Sequence, residues 1–131
     1  MAPALGRILA VGIGGFVGAV GRYGLAGLVQ RWVRGDFPWG TLAVNVLGCF
    51  LIGLLMALAR FGIVLGPRTR TFLGIGLLGS LTTFSTFGYE TMELVRTGSW
   101  FAAAGNVAGN VILGLAAVLA GLAAGRLLAG I

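Results

Sequence analysis

The densest group of polar side chains lies inside an apolar stretch, at residues 79–90. Seven of these twelve residues carry a hydroxyl or a carboxylate, in the sequence Gly-Ser-Leu-Thr-Thr-Phe-Ser-Thr-Phe-Gly-Tyr-Glu. Because so many polar groups would be costly against lipid, we expect them to face a protein interior or a water-filled path. Hydroxyl and backbone groups in such a place can replace the hydration shell of a small ion. The segment therefore indicates ion binding or transport.

A helix break is expected near Gly79, just before the Ser/Thr cluster. Neighbouring polar groups can satisfy the backbone that such a break exposes. Broken helices in transport proteins hold ions through unwound carbonyls and helix ends. The alternative is a continuous helix whose hydroxyls bond back to their own backbone. The density of polar side chains favours the break.

Two phenylalanines, Phe84 and Phe87, lie three residues apart and share one helix face with Glu90 and Thr91. An aromatic pair at this spacing usually serves packing. The other interpretation uses the partial positive charge of a ring edge, which can line the path of an anion. The spacing alone favours packing.

Three amides lie in otherwise apolar sequence: Asn45, and the pair Asn106 and Asn110 four residues apart. A single amide in a membrane helix most often ties helices together. Three amides together with the hydroxyl cluster would instead supply N–H and O–H donors for an anion. Such donors suit a small, strongly hydrated anion.

The composition argues against an enzyme and against nucleic acid binding. The chain has no histidine, no lysine and one cysteine, Cys49, which leaves out the usual metal-ligand sets, nucleophile pairs and any intrachain disulfide. Nine arginines outnumber three acidic residues and give a net charge of +6. Because eight of the arginines lie at or beyond the ends of apolar runs, we expect them to meet lipid headgroups.

Four apolar runs must position these residues. With 58% hydrophobic residues and a mean hydropathy of +1.03, the 131 residues are typical of a membrane protein. About 20 helical residues cross a bilayer. We predict an all-α protein in which residues 1–131 form a single unit of four transmembrane helices, at residues 5–28, 40–61, 71–94 and 100–128.

Small residues occur at helix-packing spacing in these runs. Three GxxxG pairs stand in the first and fourth spans, and they let helix backbones approach closely in lipid. We expect a compact bundle, through either ordinary packing or tight crossings around a narrow path. The pairs are Gly14 with Gly18, Gly105 with Gly109, and Gly121 with Gly125.

The charges and tryptophans are distributed unequally between the two membrane faces. Four spans put five arginines on the side of both termini and three on the other side, a weak positive-inside bias. Trp32, Trp39 and Trp100 all fall on the second side. A second copy inserted upside down would supply the missing aromatic belt and cancel the charge asymmetry. A single topology with uneven aromatics is the alternative.

The sequence resembles the Fluc (CrcB-type) fluoride channels. The resemblance is carried by Gly-Arg-Tyr at residues 21–23, by residues 40–48 with Asn45, and by residues 79–87 with their Thr-Thr-Phe-Ser-Thr-Phe core. It covers nearly the whole chain, and it implies a pathway role for the two phenylalanines in place of packing alone.

The resemblance implies an antiparallel, dual-topology homodimer that encloses two narrow fluoride pathways. In such a dimer the anion path is lined by Asn45, Phe84 and Phe87, with hydroxyls from Ser85 and Thr86. Arg22 attracts anions at a vestibule.

The resemblance has two further implications. The polar track of the fourth span is carried onto Asn110 and then Asn106. A structural sodium ion at the dimer centre is held by the backbone carbonyls of Gly79 and Thr82.

The implied activity is passive export of fluoride across a bacterial or archaeal plasma membrane. Hydrogen fluoride crosses lipid as a neutral molecule and dissociates in a near-neutral cytoplasm, which traps the anion. A passive pore lets the anion leave and relieves its toxicity.

Three other classes of membrane protein compete with this interpretation. A small multidrug-type, proton-coupled exporter also has four spans, but it resembles its family through a membrane-embedded acid in the first span, and residues 5–28 contain none. A non-transporting assembly subunit would leave the polar density of residues 80–90 unexplained. A membrane enzyme is more remote still.

Overall fold

The computed structural model describes residues 2–61 and 65–130, and the regular structure of that part of the chain is entirely helical. Helix α1 spans Ala2–Val33 and α2 spans Trp39–Phe61. Helix α3 covers residues 67–81, α4 spans Phe84–Arg96, and α5 covers residues 100–128. Both α3 and α5 contain wide π-helical turns, at Thr71–Leu78 and Gly109–Leu113.

Four helical segments within the described residues are long and apolar enough to cross a membrane, which confirms the prediction of an all-helical protein with four spans. They are Ala4–Val33, Trp39–Arg60, Pro67–Arg96 and Trp100–Leu128. Helices suit this environment because every backbone group within them is paired inside the segment.

The predicted ends of the first and third spans need correction. Helix α1 continues to Val33, beyond residue 28, because Arg31 and Trp32 remain helical at the end of the apolar run. The third span begins at Pro67 rather than at residue 71. Proline suits the first turn of a helix because that position needs no N–H donor.

The third span is interrupted between α3 and α4. Gly79 keeps helical dihedral angles, α3 ends at Leu81, and the two residues that follow have extended backbone. The angles φ and ψ are −82° and 156° at Thr82, and −148° and 117° at Thr83. The span therefore consists of two helical pieces that meet close to its middle.

Two close helix contacts, which we call the glycine seams, hold the bundle together. In the first seam, α1 lies against α3, and a methyl group at Gly18 would overlap the carbonyl oxygen of Leu77. In the second seam, α5 lies against α2, and a methyl group at Gly121 would overlap the carbonyl oxygen of Phe50. Glycine permits this backbone approach because it has no Cβ atom. The seams also contain Gly14 and Gly125, the GxxxG partners of these two residues.

The third GxxxG pair packs differently. The sites of Gly105 and Gly109 face side chains, the ring of Phe37 and the methyl groups of Leu42. These two glycines therefore do not bring two backbones together as the other pairs do.

The turn between α1 and α2 is fixed by one side chain, Gln30. Its amide nitrogen donates to the carbonyl oxygens of Gly35 (2.9 Å) and Phe37 (3.0 Å), and its carbonyl oxygen accepts from Gly40 N–H (3.1 Å). Gly35 lies in this turn with a φ of +113°, a conformation that suits glycine. The start of α2 is thereby held against α1.

Candidate functional site

An inner cavity of about 380 Å³ lies beside the interruption of the third span. Among the described residues that line it there is no arginine and no carboxylate; its walls consist of amide, hydroxyl, aromatic and aliphatic groups and the Cys49 thiol. Six of the predicted site residues meet there: Asn45, Gly79, Thr82, Phe84, Phe87 and Asn110. The structure thus brings together residues from the second, third and fourth spans.

Asn45 from α2 holds both backbone groups of Thr83. Its Oδ1 accepts from Thr83 N–H at 2.8 Å, and its Nδ2 donates to the Thr83 carbonyl oxygen at 3.2 Å. A buried backbone group without a partner is costly, so an interruption inside a membrane span needs such a substitute. The amide replaces the helical hydrogen bonds that Thr83 has lost.

A chain of hydrogen bonds, which we call the amide chain, continues from Asn45 to α5 and α4. Asn45 Nδ2 also donates to Asn110 Oδ1 (2.8 Å), and Asn110 Nδ2 donates to Asn106 Oδ1 (3.0 Å). Asn106 Nδ2 donates to Thr91 Oγ1 (2.9 Å), whose hydroxyl donates to the carbonyl of Phe87 (2.7 Å). The amide chain therefore links three spans.

The phenylalanines form a pair at the cavity wall. The ring centroids of Phe84 and Phe87 are 5.5 Å apart, and the rings are inclined by 57°. Phe84 is 82% exposed in the single chain, whereas Phe87 is half-buried. A ring with so much free surface contributes little to packing within the protomer.

The start of α4 is capped by Thr83, a residue that was not among the predicted site residues. Its side chain is buried, and its Oγ1 accepts from Thr86 N–H at 3.3 Å and donates to Thr86 Oγ1 at 2.9 Å. A sequence signal was available, because a threonine just before a helical run is a common N-cap. It could be used only once the position of the interruption was known.

Four predicted site residues lie outside the lining of the inner cavity. Ser85 and Thr86 are exposed on the first turn of α4. Asn106 is fully buried and takes part in the amide chain. Arg22 is half-buried on α1.

The interruption releases the carbonyl groups at the end of α3. In a continuous helix, Thr83 N–H would donate to the carbonyl oxygen of Gly79, but here it donates to Asn45. Thr86 N–H, the corresponding donor for Thr82, is used by the Thr83 hydroxyl. The carbonyls of Gly79 and Thr82 thus lack their usual helical donors. Within the described residues, no cluster of histidine, cysteine or acidic side chains could hold a metal ion.

An outer cavity of about 440 Å³ lies one helical turn away, toward the α1–α2 turn. All three acidic residues of the sequence, Asp36, Glu90 and Glu93, line it. Thr41, one turn before Asn45 on α2, donates to Glu90 Oε1 at 2.9 Å. Glu90 Oε2 is buried without a hydrogen-bond partner among the described residues. The two cavities therefore differ in charge although the same two helices, α2 and α4, line both.

The fold and the two cavities define a multi-pass helical membrane protein. Near the middle of its spans lies a cavity in which a few amide and hydroxyl groups stand among apolar ones, with no charged side chain among the described lining residues. Comparison with known sequences narrows this class. The model of the family described as "CrcB-like protein, Camphor Resistance (CrcB)" matches residues 9–122, and the chain belongs to this family.

Several relatives share the full length of the chain. It is 46% identical over 121 residues to a protein of Nitratidesulfovibrio vulgaris named "Fluoride-specific ion channel FluC", a match that covers 92% of this chain and 98% of the relative. A protein of the same name from Geobacter sulfurreducens is 50% identical over 119 residues, covering 91% and 96% of the two chains. One from Chloroflexus aurantiacus is 41% identical over 126 residues, covering 96% and 100%.

Proposed function

We propose that this protein is a subunit of a fluoride-selective channel. The observation that carries the proposal is the inner cavity, where two aromatic rings and two amides meet at an interrupted helix. No arginine or carboxylate stands among the described residues of its lining. The names of relatives at 41–50% identity agree with it.

The chemistry of the cavity fits a small, strongly hydrated anion. An anion that leaves water needs hydrogen-bond donors, yet a fixed positive charge would bind it too tightly for rapid release. Ring edges and amide hydrogens provide weakly positive surfaces without such a charge. Because both amide hydrogens of Asn45 are already donated, an arriving anion would compete with Asn110 Oδ1 for one of them.

The pathway that we propose passes Asn45, Phe84 and Phe87, with hydroxyls from Ser85 and Thr86. Asn110 and Asn106 continue it along α5, since the amide chain connects both to Asn45. Arg22 attracts anions at an outer vestibule through its charge.

We propose further that two copies associate as an antiparallel homodimer. The 82% exposure of Phe84 supports this arrangement, because a second copy would cover the ring and complete the pathway. The uneven tryptophans and arginines also favour two opposite orientations. Cysteines placed at Arg68, in the first turn of α3, and at the C-terminus on a Cys49→Ala background test this proposal. Each site should react from both faces of the membrane, and labelling from one face only would contradict it.

A structural sodium ion at the dimer centre is the third part of the proposal. The carbonyl oxygens of Gly79 and Thr82 would hold it, because the interruption removes their helical donors and hard oxygen ligands suit this cation. The ion would neutralise the carbonyl dipoles where two copies meet.

The physiological role that follows is passive fluoride export across the plasma membrane of a bacterium or archaeon. A multidrug-type exporter is less well supported, because the described first span, Ala4–Val33, contains no acidic residue. A non-transporting assembly subunit would have no use for the inner cavity. Family membership likewise favours a channel over an enzyme.

Efflux from liposomes tests the proposed function. Purified protein is reconstituted into vesicles loaded with potassium fluoride or potassium chloride, and release is recorded with ion-selective electrodes after addition of a potassium ionophore. We expect rapid fluoride release with chloride release near that of protein-free vesicles. Equal release of both anions would refute selectivity, and no fluoride release from folded protein would refute the channel.

A further inference from the structure

The Thr83 hydroxyl controls the direction of a second hydroxyl, that of Thr86. Thr83 is only 7% exposed and lies at the edge of the inner cavity, beside Phe84. Its Oγ1 accepts from Thr86 N–H and donates its hydrogen to Thr86 Oγ1 at 2.9 Å. The Thr83 hydroxyl therefore makes one accepted and one donated hydrogen bond with the same neighbouring residue.

This contact leaves the hydrogen of Thr86 free to point outward. Because Thr86 Oγ1 accepts from Thr83, its own hydrogen is directed away from Thr83, and the Thr86 side chain is exposed. A hydroxyl that accepts one hydrogen bond is also polarised and becomes a better donor in the next one. Without the contact, a threonine in the first turn of a helix could turn its hydrogen back toward a backbone carbonyl.

The position of Thr83 is itself fixed by α2. Asn45 holds its N–H at 2.8 Å and its carbonyl at 3.2 Å, so the backbone at the interruption cannot rotate without breaking both bonds. Asn45 thus holds the Thr83 backbone, and the Thr83 hydroxyl in turn holds Thr86.

We propose that Thr83 is a positioning residue that directs the Thr86 hydroxyl hydrogen outward as a donor to the permeating anion. The inference rests on the proposed fluoride channel and adds to it a residue that acts through the hydroxyl of another. It also assigns Asn45 a second task, since the amide that faces the cavity is the one that holds Thr83 in place.

Fluoride efflux per reconstituted dimer tests this proposal in a double-mutant cycle. Thr83→Val keeps the shape of the side chain and removes its hydroxyl, so fluoride efflux should fall about three- to tenfold, the range expected for one hydrogen bond. Thr83→Ser restores the hydroxyl and should restore efflux. Thr86→Val should lower efflux at least as much, and adding Thr83→Val to it should cost little more.

Thr97→Val is the matched control, because the Thr97 hydroxyl donates to the carbonyls of Glu93 and Leu94 at the opposite end of α4. It should conduct like the wild type. Normal efflux in Thr83→Val, or equal losses from Thr83→Val in the presence and absence of the Thr86 hydroxyl, would overturn the proposal. If Thr83→Val does not fold, normal efflux in Thr86→Val still overturns it. A wild-type protein that releases no fluoride would instead refute the channel itself.

Discussion

The backbone is helical and closely packed at the glycine seams, whereas it is interrupted and held by side chains at the amide chain. At Gly18 and Gly121, two uninterrupted helices approach so closely that a carbonyl oxygen of one helix occupies the space of a side chain on the other. At Thr83 the helix is interrupted, and an amide from another span replaces the lost backbone hydrogen bonds. The first arrangement excludes every ligand, whereas the second opens a cavity between polar groups. We therefore expect the glycine seams to determine the stability of the folded bundle and the amide chain to determine fluoride conduction.

The largest expected effect is a loss of stability when a glycine of the seams is replaced. In Gly18→Ala the new methyl group overlaps the Leu77 carbonyl oxygen, a rigid backbone atom. Overpacking of this kind costs about 1–3 kcal/mol. Thermal denaturation in detergent, followed by size-exclusion chromatography, should show a clear loss of folded protein. Gly12→Ala on the same helix meets nothing within 4 Å and is the control. Equal stability of the two variants would contradict the close contact.

The phenylalanine pair should show the largest effect on conduction. Phe84→Ile and Phe87→Ile approximately keep the apolar volume but remove the ring edge, which is worth about 0.5–1.5 kcal/mol in favourable contacts. Fluoride efflux per dimer should fall by up to about tenfold, since 1.4 kcal/mol corresponds to one factor of ten. Recovery of the dimer should remain near the wild-type level. Lower stability with normal efflux would show that the rings serve packing alone.

Asn45→Ala should lower both stability and conduction, because Asn45 both lines the cavity and holds the interruption. It leaves the Thr83 N–H without its partner, which costs about 1–3 kcal/mol. Fluoride efflux and melting temperature should both fall, unlike the phenylalanine variants, in which efflux falls alone. Asn106→Ala removes one bond of the amide chain further from the interruption and should have the same effects to a lesser degree. Normal efflux in Asn45→Ala would remove it from the pathway.

Replacing sodium by a large organic cation during purification should have a smaller effect, on the assembly as a whole. The carbonyl groups of Gly79 and Thr82 would lose the proposed cation. The proposed dimer should then be weaker, with dissociation already seen at protein concentrations where the sodium-bound dimer stays intact. Side chains do not hold the proposed ion, so Thr82→Ser should bind it normally, whereas Gly79→Pro alters the backbone and should not. Unchanged dimer stability and fluoride flux would argue against the ion.

The smallest effect is expected at the surface. Arg96 and Glu93 form an ion pair at 2.7 Å with exposed side chains at the end of α4. Exposed pairs of this kind contribute little because water screens their charges. Arg96→Gln should leave efflux and melting temperature unchanged. A marked loss of efflux or a marked fall in melting temperature would show that this end of α4 has a role beyond those of the glycine seams and the amide chain.

Much of the fold could be predicted from the sequence, because a lipid bilayer requires long apolar helices and the sequence contains four clearly separated apolar runs. Helix ends were harder, since Arg31 and Trp32 can stay helical at an interface where charge and aromatic rings are both tolerated. The amides Asn45 and Asn110 indicated a polar path and the resemblance added Phe84; the structure places all three at the inner cavity. Which atoms pair could not be predicted, because Asn45 and Thr83 lie 38 residues apart and either amide atom could have faced the other way.

The most direct test measures fluoride efflux and melting temperature on the same preparations of Gly18→Ala and Phe84→Ile. Gly18→Ala should melt at a lower temperature, while each dimer that survives conducts fluoride at the wild-type rate. Phe84→Ile should melt near the wild-type temperature and lose most of its efflux. If both quantities fell in parallel in both variants, assembly and conduction would depend on the same contacts, and the division between the glycine seams and the interrupted span would be wrong.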